Sequence, residues 1–377
     1  MSTKNLWHWG SGLMALGLIL VGALALPTVQ AQTGGATFTV AQTSTESHYP
    51  RGMTFSIQAG SSAGDITRAT LIVVLRTGNR ERANGEFDAE QGMWSARFRE
   101  MGGLPPWIDF TYYWLLTDSA GNTFETEPGY AIYEDHTRQW FHLDTEDITL
   151  HWFGFPEEFG GMVAQAMADM REKFAAGWGH LLSHKPIAVF FPDRESWDEF
   201  SAGGSNSRAA GFTNRGWGYS VQRLADEEPP EFLMECVERW GRLRQRPMEW
   251  RLQRGVTTVV HEITHMYQSD FRVGGPDWWV EGQADYFAWL TGLDADPADR
   301  LANLLTVTDD FPTLQGPGPD LALYVMAADS CNGLGYDMGN DFIRWLLDNY
   351  GGLETHARLL EVLPGRSLDS ALLAVTG

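Results

Sequence analysis

A chain of 377 residues is longer than one typical domain and short of three, so two domains is the expectation. Hydrophobic residues at 43% and aromatics at 12% exclude a disordered chain. With 27 Lys and Arg against 49 Asp and Glu the formal charge is −22, which excludes nonspecific attraction to nucleic acid or anionic lipid and reads as a solubilising acidic surface.

Residues 1–31 carry Lys4, an apolar run over 13–26, Pro27 and the small-residue ending Val29-Gln30-Ala31. This is the pattern of a signal peptide cut after Ala31, and it predicts a protein that is secreted or held in the cell envelope. The run is shorter than the roughly 20 apolar residues that a membrane span needs. Extension back to Leu6 leaves an uncleaved N-terminal anchor as the one route to a membrane. In an exported chain the two cysteines, Cys236 and Cys331, invite a disulfide, with two buried thiols as the alternative.

Residues 35–135 alternate in short runs between turn residues, and the pattern predicts strands over 53–59, 69–76, 93–99, 108–117, 123–126 and 130–133. The cluster Asp118-Ser119-Ala120-Gly121-Asn122 returns one β-prone run into the next, as a hairpin does. Strands at this spacing, with no helical period, suggest a small β-sandwich of immunoglobulin-like type, although no cysteine pair marks it.

A second domain is expected over 147–377, giving an α+β chain whose C-terminal half is mostly helical. Residues 148–153 and 187–191 read as strands. Met162, Ala166, Met170 and Phe174 recur at helical spacing. A hairpin is predicted over 209–221 around Asn214 to Gly216, and a helix over 231–253 with a break at Pro247. Helices are expected over 342–349 and 367–375, and His356 in a late, exposed loop or helix.

Within the helical half stands His261-Glu262-Ile263-Thr264-His265. On a helix each residue turns about 100°, so His265 lies about 40° from His261, and Glu262 flanks the pair at about 100°. Two imidazoles at this spacing grip one Zn²⁺, while the adjacent carboxylate reaches the activated water without being a ligand. With 10 His in the chain, chance produces the pattern in roughly one or two of a hundred such chains. Val256, Val259, Ile263 and Tyr267 make an apolar stripe that seats the motif on a packed helix.

A catalytic zinc keeps three protein ligands and one open position. Glu281 is the candidate third ligand. Asp277 is placed to cap a helix on which Asp285 follows Glu281 by one turn, so the two carboxylates face one way and suit a ligand plus an acceptor for an imidazole N–H. The bland alternative is a solvated acidic face, for which Trp278, Trp279, Tyr286, Phe287 and Trp289 leave little room.

The run His261-Glu262-x-x-His265, then Trp279-Val280-Glu281-Gly282-x-Ala284-Asp285-Tyr286, resembles the gluzincin zinc metallopeptidases, and most closely the peptidase MA-like domain of exported bacterial proteins. The resemblance covers residues 147–377 and extends to Tyr336-Asp337-Met338-Gly339-Asn340-Asp341-Phe342-Ile343. It implies His261, His265 and Glu281 as zinc ligands, Glu262 as general base, Asp285 as the partner of His261, and Tyr336 as a stabiliser of the oxyanion or else a buried residue at a helix start. The function implied is hydrolysis of peptide bonds in a peptide or protein substrate laid along an edge strand, for which the 209–221 hairpin is the candidate. Two rivals stay open: a zinc amidase on cell-wall or glycosylated substrates, and a non-catalytic surface binding protein with a vestigial zinc site.

Overall fold

The computed structural model describes residues 29–33, 35–99, 103–201, 211–224, 248–293 and 334–377. Cys236, Cys331 and residues 1–28 lie outside the described residues. The expected cut after Ala31 falls inside strand β1 (Val29–Thr33), which pairs antiparallel with β2 (Ala36–Ser47). No helix among the described residues is long and apolar enough to cross a membrane.

The chain is α+β. Its first part continues through β3 (Met53–Ser61), β4 (Ile66–Val74), β5 (Arg80–Asn84), β6 (Glu86–Asp88), β7 (Met93–Phe98), β8 (Asp109–Asp118), β9 (Thr123–Glu125) and β10 (Gly129–Ile132). These form two antiparallel sheets, one in the order β1-β2-β3-β7-β6 and the other β10-β8-β4-β5 with β9 on β8. Strand alternation drives their packing: Phe55 and Ile57 of β3 point the same way, as do Phe110, Tyr112, Trp114 and Leu116 of β8, and all are buried. Across the gap Phe38 stacks on Phe124 at 5.3 Å and Phe55 meets Tyr112 edge-on at 4.9 Å. The strands β2, β5 and β6 were not among those expected, because their runs are polar: β5 is Arg-Glu-Arg-Ala-Asn, half exposed along its length.

A third sheet follows, built from β11 (Phe141–Asp144), β12 (Thr149–Trp152), β13 (Ile187–Phe191), β14 (Gly211–Asn214) and β15 (Tyr219–Arg223) in the order β11-β12-β13-β15-β14. The β12, β13 and β15 strands run parallel, and α1 (Glu158–Trp178) makes the crossover from β12 to β13. All five residues of β13 are buried, as a strand covered on both faces requires. Ala188 and Phe190 join the core under the helices, whereas Ile187, Val189 and Phe191 join a cluster continuous with the sandwich interior. The third sheet is therefore a wall shared by both parts of the chain.

On α1 the buried stripe is Val163, Met167, Met170 and Phe174, and Met162 is 37% exposed. The expected stripe ran in steps of four, each advancing about 40° around the helix, so it drifts off the core face; the real one mixes steps of three and four. After α2 (Arg194–Ser201) the helical half comprises α3 (Met248–Asp270), α4 (Asp277–Trp289), α5 (Leu334–Tyr350), α6 (Leu353–Val362) and α7 (Leu368–Thr376). The motif helix α3 takes in the end of the helix expected over 231–253; residues 231–247, with the break expected at Pro247, lie outside the described residues.

Two glycines set how α5 meets α4. A Cβ on Gly282 would lie 2.5 Å from the Gly339 backbone, and one on Gly339 would lie 2.2 Å from the Trp278 carbonyl oxygen. Only glycine permits this approach, which lays the first turn of α5 beside the histidines of α3.

Candidate metal centre

Helix α3 presents His261 and His265 one turn apart, and α4 presents Glu281 and Asp285 one turn apart opposite them. The loop between the two helices ends at Pro276, which occupies the cap position in extended conformation with no side-chain cap bond. Asp277 is consequently not the cap that the spacing suggested. It stands inside the first turn, where a carboxylate still complements the helix N-terminus.

The three expected ligand residues converge. His261 Nε2 lies 3.1 Å from Glu281 Oε2 and 3.2 Å from His265 Nε2, and His265 Nε2 lies 3.4 Å from the same carboxylate oxygen. An ion held at about 2.0 to 2.1 Å by three tetrahedrally placed ligands separates them by about 3.3 to 3.4 Å. The triangle therefore fits one small cation, and His261, His265 and Glu281 could hold a metal ion.

The opposite ring nitrogens are anchored. Asp285 Oδ1 lies 2.7 Å from His261 Nδ1, so the carboxylate accepts the Nδ1–H and turns Nε2 toward the centre. His265 Nδ1 sits 2.7 Å from Gln268 Oε1, and the Gln268 amide donates onward to the Val280 carbonyl at 2.6 Å and to Gln283 Oε1 at 2.9 Å. Gln268 is wholly buried and was not anticipated, although its place three residues after His265 puts it on the same face of α3. These outer contacts hold both imidazoles before an ion arrives. Asp285→Asn and Gln268→Leu chains are each expected to bind metal about 10- to 100-fold more weakly in competition with a chromogenic chelator; parent-like affinity in both would remove their anchoring role.

Electrostatics couple the residues tightly. Burial disfavours a charged His261, but Asp285 and Glu281 outweigh it and push its pKa up to about 10. Burial likewise opposes ionisation of Glu281, and His261 with His265 outweighs it, holding the carboxyl well below the usual carboxylate range. Without metal, a proton on His261 takes the place of the cation.

Glu262 faces the other side, where the hairpin expected over 209–221 forms as β14 and β15. It is 6% exposed, and Thr213 Oγ1 lies 2.6 Å from its Oε2 and 2.7 Å from its main-chain oxygen. A Cβ on Gly211 would come within 2.8 Å of Glu262 Oε1, so the carboxylate is seated directly on β14. Neither residue was singled out for the site. Strand alternation could have paired them, since positions 211 and 213 share a face.

Tyr336, in the first turn of α5, brings its ring to 6.1 Å from that of His261, centroid to centroid. His356 is not exposed as expected: it is fully buried on α6, against Trp178 and Phe287, with Nδ1 2.6 Å from the Gly177 carbonyl oxygen. Burial pushes its pKa down to about 4, and the neutral ring caps the last turn of α1 away from the centre.

No protein-family model and no curated protein matches the chain. Among solved structures, the cycloalternan-degrading enzyme of Trueperella pyogenes shares 22% identity over 21% of this chain and 10% of its own, with a TM-score of 0.17. A purple acid phosphatase from yellow lupin (Lupinus luteus) seeds shares 9% over 50% of this chain and 36% of its own at 0.21. A polysaccharide deacetylase from Bacillus cereus shares 11% over 50% and 62% at 0.21. The chain thus spans a tenth of the first of these proteins and less than two thirds of the others.

Proposed function

We propose that the chain is an exported zinc-dependent metallopeptidase of gluzincin, peptidase MA-like type, preceded by an immunoglobulin-like sandwich. The observation that carries the reading is the pairing of a three-atom ligand face from His261, His265 and Glu281 with a separate carboxylate, Glu262, held on an edge strand. Two nitrogens and one carboxylate oxygen at tetrahedral spacing suit zinc, and three protein ligands suit a catalytic site better than a structural one, which four protein ligands close. The sandwich type is supported by strand order: β2-β3-β7-β6 facing β10-β8-β4-β5 follows the immunoglobulin arrangement. The signal-like segment supports export.

When bound, zinc supplies Lewis acidity, acidifying water and polarising a carbonyl. Glu262 takes a proton from the attacking water and delivers it to the leaving amine nitrogen. Thr213 keeps that carboxylate oriented. Tyr336 donates to the developing oxyanion, a role supported by its ring lying 6.1 Å from that of His261. Among the described residues β14 has no strand on its outer side, so its main-chain groups can pair with an extended peptide.

The test is a profile of new N-termini in a denatured proteome digest supplied with zinc. New termini that vanish with a chelator and with Glu262→Gln are expected. A profile identical to the Glu262→Gln control would remove the peptidase reading and leave the zinc amidase and the non-catalytic binding protein as the alternatives.

A further inference from the structure

The β14–β15 hairpin reaches Glu262 at one end and the N-terminal sandwich at the other. Its turn is held by the β4–β5 turn of the sandwich: Thr77 Oγ1 donates to the Gly216 carbonyl oxygen at 2.6 Å, and Asn79 Nδ2 donates to the same oxygen at 2.8 Å. One carbonyl thereby receives two donors from a part of the chain more than a hundred residues away. The next residue, Trp217, is 6% exposed and inserts into the sandwich, where its ring stacks 5.8 Å from Phe98. Its Nε1 donates to Glu81 Oε1 at 2.9 Å, and the Arg99 guanidinium, which pairs with the same Glu81, lies 4.7 Å over its ring. Gly218 follows in the left-handed region at φ 74°, with no room for a Cβ against His184 and Thr77. Sandwich side chains therefore hold Gly216 and Trp217, in addition to the hairpin's own bonds from the Trp217 and Gly218 N–H groups to the Asn214 carbonyl oxygen and the bond from the Ile187 N–H of β13 to the Gly218 carbonyl oxygen.

From that fixed turn β14 runs back along the sheet edge to Thr213, opposite Ser220 in register, and to Gly211, opposite Gln222. Those two positions contact Glu262. We infer that the sandwich is a working part of the catalytic site: by clamping the hairpin turn through Thr77, Asn79 and Glu81 it places Thr213, and Thr213 is a positioning residue for Glu262. The part concerning turnover rests on Glu262 acting as the base. The mechanical coupling from sandwich to hairpin does not.

The metal ligands lie on α3 and α4, and none lies on the hairpin, so the coupling separates two properties that general destabilisation would move together. The experiment compares the full-length parent with Thr77→Val/Asn79→Ala, Thr213→Val and Thr213→Ser. In the double variant, amide exchange over 211–223 is expected to rise about 5- to 30-fold, while exchange over 163–174 of α1 and chelator-competed zinc affinity stay at parent values. On a peptide that the parent cleaves, kcat is expected to fall about 10- to 100-fold in the double variant and in Thr213→Val, with Thr213→Ser restoring most of it. Unchanged hairpin exchange in the double variant overturns the clamp. Parent-like kcat in Thr213→Val overturns the positioning role. If the parent cleaves no peptide, the proposed activity fails and the exchange result alone decides the clamp.

Discussion

Replacing Glu262 by Gln is expected to leave one zinc ion per chain in place and to slow hydrolysis about 10²- to 10⁴-fold. The metal should stay because Glu262 is not one of the three converging atoms; its carboxylate is engaged by Thr213 on β14. The amide of Gln keeps the shape, and its oxygen still accepts the Thr213 hydroxyl, so the site does not collapse. What is lost is the ability to accept a proton from water. Metal content by elemental analysis and kcat on the same preparation check both halves. A variant that keeps zinc and matches the parent on every substrate would remove Glu262 from the base role, and one that loses zinc would show that the carboxylate is a ligand instead.

Replacing Glu281 by Gln is expected to weaken metal binding by more than about 100-fold, beyond the range typical of losing an outer contact. It should also change how the metal-free protein responds to pH. In the parent, His261 is held protonated by Asp285 and Glu281 up to about pH 10, against an ordinary value near 6.5. A raised pKa of this kind stabilises the fold fully below the unfolded value and loses its contribution as pH rises through the folded one. The depressed Glu281 carboxyl describes the same pair from its acidic side: its contribution is present above the unfolded carboxylate value and is lost as pH falls through the folded one. Metal-free parent is therefore expected to lose thermal stability between about pH 6.5 and pH 10 by more than Glu281→Gln does. Identical pH profiles would mean that the pair contributes nothing. Because zinc needs a neutral imidazole, ion binding to the parent at pH 7 should release about one proton.

The site was legible where its geometry is local. His261 and His265 are one turn apart on one helix, as Glu281 and Asp285 are on the next, and helical period alone puts each pair on one face. What was not legible joins distant segments. Thr213 meets Glu262 across 49 positions, and nothing in the run Gly211-Phe212-Thr213-Asn214 marks a contact with a helix beyond the alternation that any strand has. Gln268 was hidden differently: a lone amide on an apolar helix reads as exposed until the buried partners Val280 and Gln283 are known. The sandwich strands with large apolar alternation were readable, and polar β5 was not, because its pairing rests on backbone bonds that any side chain permits. The all-apolar run of β13 announced a buried strand. That one face belongs to the sandwich could come only from the third dimension.

The most direct measurement is a calorimetric titration of the metal-free full-length chain with zinc at pH 7, repeated in two buffers of different ionisation enthalpy. The expected result is one ion bound per chain with about one proton released, and binding weakened by more than about 100-fold in Glu281→Gln. No saturable binding by the parent, or equal binding by the variant, would contradict the assignment of His261, His265 and Glu281 as one metal centre.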